Sequence, residues 1–307
     1  MQGSRPLYIL MIYYTCKIFN IGFKTFSIYH NIALLPLYAT SLWFLAKTMF
    51  SRKVAAYTLL ITSITPTYLG FITGGLQANL FTLIILNVAL AIYFKMKNIR
   101  SLPIIALLLI VAILSHPWTA FQYLASMVLF LMLSLTVFKK KHVPLILSLA
   151  IVAIFIAIYI VESPSIVNVV IKHPLNRIMA YNFEKYVLEV LKAPSTLYFA
   201  ITIYLWGSLN TPLYPMLSVY GLEEDSEYFL VSLTATTAII MLLIVPSVTF
   251  ISRLILNLHL PILAACTIAK LNGKGKIAIF TLMLAYTLRT LLTTIPNPEL
   301  EQYLYLT

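Results

Sequence analysis

The polar residues that interrupt this chain's apolar stretches are few, and they are the places where chemistry could occur. His116 stands in the run Leu114, Ser115, His116, Pro117, Trp118, Thr119, where one apolar stretch ends and the next begins. An ionisable group at membrane depth is a functional hypothesis by default. Gln122 follows about one and a half helical turns later and could support the imidazole. The competing account is a helix-end histidine that snorkels beside an interfacial Trp118. Arg253 lies between Pro246 and the apolar run Leu254 to Leu263, and a guanidinium there suits an anionic phosphate, which it grips bidentately. Contact with a lipid headgroup competes on equal terms. His173 and Arg177 add two cations within 162–194, while Lys172, Lys185 and Lys192 nearby fit a solvated charged face as well. His116 and Glu162 are the candidates for taking a proton; Arg253, His173, Arg177 and Gln122 are the candidates for holding a substrate.

What the sequence lacks narrows the chemistry. Asp225 is its sole aspartate, and the carboxylates expected on the outer side are Glu162, Glu184, Glu189, Glu299 and Glu301, so no outer aspartate pair is present to hold a divalent metal. There is no Walker loop, HExxH, Cys/His metal spacing or GxSxG. Cys16 and Cys266 both lie in apolar stretches and carry no information on redox compartment.

The elements that must position these residues are membrane helices. Of the 307 residues 61% are hydrophobic and 10% charged, too little polar surface for a soluble domain of this size. Val54 to Ile72 and Val143 to Val161 are apolar around the whole circumference, where a soluble core helix keeps a polar stripe. Their lengths approach the roughly 20 residues that span hydrocarbon. Apolar length between polar breaks predicts spans at 31–46, 54–72, 76–94, 102–115, 118–138, 143–161, 195–214, 229–246, 254–270 and 277–295. The expected fold is an all-α polytopic integral membrane helix bundle, a single transmembrane domain over 1–307 with about ten transmembrane helices plus interfacial helices.

The net charge of +12 is gathered in short loops, and no basic segment has a groove-reading context, so nucleic acid is not the expected partner. Lys47, Arg52 and Lys53; Lys95, Lys97 and Arg100; Lys139 to Lys141; and Lys270, Lys274 and Lys276 are expected to face the cytoplasm. The number of spans between each pair of clusters must then be even. The four candidates between Lys141 and Lys270 satisfy this only if 195–214 crosses despite Asn210 and Pro212. The acidic run Glu223, Glu224, Asp225, Glu227 then falls on the cytoplasmic side. The outer side receives the turn at Thr73 to Gly75, the turn around His116, the segment 162–194 and the turn around Ser252 and Arg253. Within 162–194, Ile178, Met179, Phe183, Tyr186, Val187, Val190 and Leu191 recur at helical spacing and predict an external amphipathic helix lying in the interface. Residues 1–30 predict either an external interfacial helix or a thin first span. No small-residue cleavage site follows Leu7 to Phe19, so a cleaved signal peptide is not expected.

This order of segments resembles the GT-C-type glycosyltransferases, polytopic enzymes that move a sugar from a polyprenyl-phosphate donor to an acceptor on the outer or luminal face. The resemblance is carried by Arg5 to Tyr8, by Leu42 to Lys53 (LWFLAKTMFSRK), by Gly74 to Leu80 (GGLQANL), by Ser115 to Pro117 and by Ser252 to Ala265 (SRLILNLHLPILAA). It implies an inverting transferase in which Arg253 neutralises the departing donor phosphate, His173 and Arg177 assist, and His116 or Glu162 takes the acceptor proton. In that family a spanning helix and an Asp-bearing external loop precede the stretch like Pro6 to Phe19, and this chain opens where that loop would end. Three expectations follow: a start assigned too late, a degenerate relative without catalysis, or an enzyme that uses His116 or Glu162 as base. No cofactor is expected, and a divalent metal only if a further N-terminal segment supplied ligands. The expected partners are membrane lipid, a polyprenyl-phosphate-linked sugar and a membrane-protein partner, and the expected location is the plasma membrane of a prokaryote.

Two other readings stay open. His173 and Arg177 loosely match the style of metal-independent O-antigen ligases. A transporter or lipid-linked-sugar flippase would line a path with polar groups such as Gln77, Asn79 and Asn87, of which Asn79 and Asn87 share a helix face. Amides at such positions also join helices together.

Overall fold

The computed structural model describes residues 5–64, 77–136, 139, 141–163, 225–243 and 258–294. The described residues are all-helical: α1 Pro6–Phe19, α2 Phe23–Met49, α3 Arg52–Ile64, α4 Gln77–Met96, α5 Leu102–Ser115, α6 Pro117–Thr136, α7 Val143–Glu162, α8 Asp225–Leu243, α9 Leu260–Lys270 and α10 Gly273–Thr294. A short 3₁₀ turn at Ile99–Ser101 leads into α5. Among the described residues four helices are long and apolar enough to cross a membrane: α2 over Ile32–Met49, α4, α6 and α7.

Prolines mark where the helices begin. Pro6, Pro103, Pro117, Pro144 and Pro261 each sit within the first two positions of α1, α5, α6, α7 and α9, where the missing N–H costs nothing and the fixed φ suits the helix. Asn20 closes α1 in the left-handed conformation, its N–H bonded to Cys16 O, a role the short amide side chain tolerates. Within the helices, hydroxyls bond back one turn: Thr58 to Val54 O, Thr62 to Thr58 O, Ser126 to Gln122 O and Thr237 to Leu233 O. In lipid a hydroxyl has no water to turn to, so this satisfies it at no cost in fold.

Contacts between side chains fix how the helices run. Phe94, Phe130 and Phe229, from α4, α6 and α8, meet edge to face with centroids 6.0–6.4 Å apart. Gln122 of α6 bonds Thr237 of α8. Pairing 130 with 229 and 122 with 237 makes α6 and α8 antiparallel. The Asp225 end of α8 therefore lies at the same end of the bundle as the basic turn after α6. Tyr123 of α6 bonds His259 at the start of α9, and Lys276, just after α9, lies over Tyr57 near the start of α3, which puts Lys270 at that basic end too. Asn87 donates to Ser41, joining α4 and α2, which run in the same direction. In α1, Tyr8 packs on Phe81 near the opposite end of α4 and bonds His30 of α2.

Several expected boundaries move. The helix expected to begin at 31 begins at Phe23, and the one expected over 54–72 is described over Arg52–Ile64. The span expected over 229–246 is α8, which begins at Asp225, inside the acidic run. In the segment expected over 254–270, the described helix begins at Leu260 and Leu258 and His259 precede it unwound. The segments expected at 76–94, 102–115, 118–138, 143–161 and 277–295 are helical as α4, α5, α6, α7 and α10, their ends agreeing to within a few residues; of these, α4, α6 and α7 are long and apolar enough to cross a membrane. The expected span 195–214 and the expected amphipathic helix within 162–194 lie outside the described residues.

Candidate functional site

Three hydrogen bonds from neighbouring segments of the chain meet on α6. Thr119, Gln122, Tyr123 and Ser126 of α6 follow the i, i+3, i+4, i+7 rule that puts them on one face, and all four are buried. Each of the first three reaches a different neighbour. Asn79 Nδ2 of α4 donates to Thr119 Oγ1 at 3.0 Å. Gln122 Nε2 donates to Thr237 Oγ1 of α8 at 2.8 Å. The Tyr123 hydroxyl meets His259 Nε2 at 3.2 Å, the two rings edge to face.

His116 belongs to this row. It is the C-cap of α5 and, through its carbonyl, receives the N–H of Ala120 in the first turn of α6. It is only 5% exposed, so it does not snorkel to the interface; the short link between α5 and α6 turns the side chain inward. Its Nδ1 receives the backbone N–H of Thr119 at 3.2 Å and lies 2.9 Å from the Thr119 hydroxyl. A backbone N–H only donates, so Nδ1 is the acceptor and the neutral ring carries its proton on Nε2. The hydroxyl of Thr119, accepting from Asn79, passes its own proton toward the same nitrogen. Nδ1 is thus occupied as an acceptor and Nε2 is the donor side of the ring. Thr119 orients the imidazole at Nδ1.

The remaining expected site residues are distributed otherwise. Glu162 is the last residue of α7 and is exposed. Arg253, His173 and Arg177 lie outside the described residues. Asn79 and Asn87 both join helices, to α6 and α2 respectively, through their amide nitrogens. Their oxygens, with Thr82 Oγ1 and His259 Nδ1, are buried without a hydrogen-bond partner. Such groups cost free energy unless a ligand or water meets them.

Sequence reasoning missed Thr119, Tyr123, Thr237 and His259 as members of this row. The signal within α6 was the polar spacing 119, 122, 123, 126 in an otherwise apolar segment. His259 lay in plain view in SRLILNLHLPILAA, but its partner stands 136 positions away, a pairing that periodicity does not reveal. Among the described residues no group of His, Cys, Asp or Glu is placed to hold a metal ion. The row sets neutral donors and acceptors in the buried interior of the bundle.

No protein-family model matches the chain, and neither a curated protein nor a solved structure matches it.

Proposed function

We propose that the chain is a GT-C-like membrane glycosyltransferase of about ten spans, acting at the end of the bundle opposite the basic clusters on a polyprenyl-phosphate-linked sugar. The observation that supports this most is the buried row on α6 with His116 held as an Nε2–H donor. A donor fixed in a dry site is worth far more to a developing oxyanion than in water. In this reading His116 hydrogen-bonds the leaving lipid phosphate, Arg253 neutralises it, and His173 and Arg177 add charge from 162–194. The acceptor's proton falls to Glu162, exposed at the end of α7, because Nδ1 of His116 is occupied as an acceptor. The location that goes with this reading is the plasma membrane of a prokaryote.

The test is release of polyprenyl phosphate, with the sugar passed to an acceptor hydroxyl, when the full chain in proteoliposomes is offered polyprenyl-phosphate hexoses and pentoses together with a membrane extract that supplies acceptors. Release should fall by about 10²–10³-fold in His116→Ala, as when one oxyanion donor is lost, and recover partly in His116→Gln, whose amide donates. No release with any sugar would overturn the transferase reading.

A second reading, a transporter or flippase for a lipid-linked sugar, draws on the partnerless oxygens of Asn79, Thr82 and Asn87 along α4. It is chosen if the same proteoliposomes move a fluorescent lipid-linked sugar between leaflets without releasing its phosphate.

A further inference from the structure

We propose that the turns joining α2 to α3 and α9 to α10 together form a binding site for a phospholipid headgroup that carries two phosphates. The first turn is Phe50 and Ser51, and the second is Leu271 and Asn272. Because α3 packs against α2, α9 and α10, the two turns are neighbours at one end of the bundle. They bring together Lys47, Arg52 and Lys53 from one side and Lys270, Lys274 and Lys276 from the other. All are exposed except Lys276, which is half-buried.

Four of these six cations run against the electrostatics of the helices that carry them. The N-terminus of a helix carries about half a positive charge and favours acidic residues in its first turn. Neither α3 nor α10 has an acidic residue there; α3 opens on Arg52 and Lys53, and α10 carries Lys274 and Lys276. Arg52, Lys53, Lys274 and Lys276 thus adjoin two positive helix ends, while Lys47 and Lys270, in the last turns of α2 and α9, sit where a helix favours a cation. An anion bound between the two turns would relieve the repulsion at the two positive ends. Orientation of the chain in the membrane explains lysines at this end, but it does not require them at the first turn of two adjoining helices.

The surroundings identify the anion as a lipid. Lys47 Nζ lies 4.8 Å above the Trp43 ring and Lys276 Nζ 5.7 Å above the Tyr57 ring. Tyr57 in turn packs on Phe280. Aromatic rings beneath lysines are characteristic of headgroup depth. Ile277, next to Lys276, is 70% exposed, and Leu59 and Leu60 of α3 are exposed further along, an apolar surface along which acyl chains can run. Three cations on each turn match two phosphates better than one. Clustered basic residues at helix ends recognise cardiolipin-type heads in this way.

Native mass spectrometry of the purified full chain, offered cardiolipin, phosphatidylglycerol or inorganic diphosphate, tests the proposal. Wild type should retain cardiolipin over phosphatidylglycerol. The double variants Arg52→Gln/Lys53→Gln and Lys274→Gln/Lys276→Gln should each lose retention by about fivefold per charge removed, while each still unfolds in a single cooperative thermal transition. Lys95→Gln/Lys97→Gln, at the separate turn after α4, should keep it. Unchanged retention in both site variants, or an equal loss in the control, would overturn the site. Retention of inorganic diphosphate as strong as that of cardiolipin would overturn a lipid as its occupant.

Discussion

At the residue scale, the amides of α4 differ in what depends on them. Asn87 donates to Ser41, but the Ser41 hydroxyl keeps its own bond to Tyr38 O, and the Asn87 oxygen is buried without a partner. Asn87→Leu therefore removes an interhelical bond and a partnerless acceptor together, and should change stability by less than about 1 kcal/mol. Thr119 is the reverse case. Its hydroxyl stands between the Asn79 amide and His116 Nδ1, so Thr119→Val leaves the amide of Asn79 without its acceptor in the interior. That should cost about 1–3 kcal/mol. Thermal unfolding of the two variants in one detergent compares them directly, and an equal loss in both would contradict the ordering.

At the element scale, α6 organises the bundle. One end of it meets α4, α8 and α9 through hydrogen bonds, and the other meets α4 and α8 through Phe130, which is 1% exposed and touches the rings of Phe94, Phe229 and His142. Membrane helices gain no hydrophobic drive from lipid, so contact and shape carry such an interface. Phe130→Ala should destabilise toward the low end of the roughly 3–5 kcal/mol found for buried Phe→Ala, since the cavity term survives while the transfer term shrinks. Denaturation of the variant in mixed micelles measures it. Phe130→Leu, which refills most of the space, should recover the greater part. By contrast α7, apolar and mostly exposed along its length, should tolerate Leu, Ile and Val exchanges at Ile151, Ile154 and Ile158 with no measurable loss.

At the scale of the whole molecule, the directions of the helices predict sidedness. The turns at Lys97, Lys141, Asp225 and Lys274 share one end of the bundle, and Ser163 lies at the other. With Cys16 and Cys266 replaced by Ala, single cysteines at 97, 141, 225 and 274 should react with a membrane-impermeant maleimide from one side, and a cysteine at 163 from the opposite side. Labelling of 225 from the side of 163 would break the antiparallel pairing of α6 with α8. This experiment also bears on the ten-span reading, because the pattern requires an even number of crossings between 141 and 225.

The sequence by itself determined that the chain is helical and apolar enough for a membrane, where most helices begin and end, and which turns carry the positive charge. These are local properties: apolar length, proline at helix starts and charge between segments act within a few residues of where they are written. His116 and Gln122 were legible for the same reason, as rare polar groups in apolar surroundings. Only the tertiary structure decided that His116 turns inward, that Thr119 holds its Nδ1, and that Tyr123 pairs with His259. Each depends on two helices arriving at one point from distant stretches of chain. A hydrogen bond has a range of about 3 Å, so its partner is fixed by packing and leaves no trace in the spacing of either segment alone.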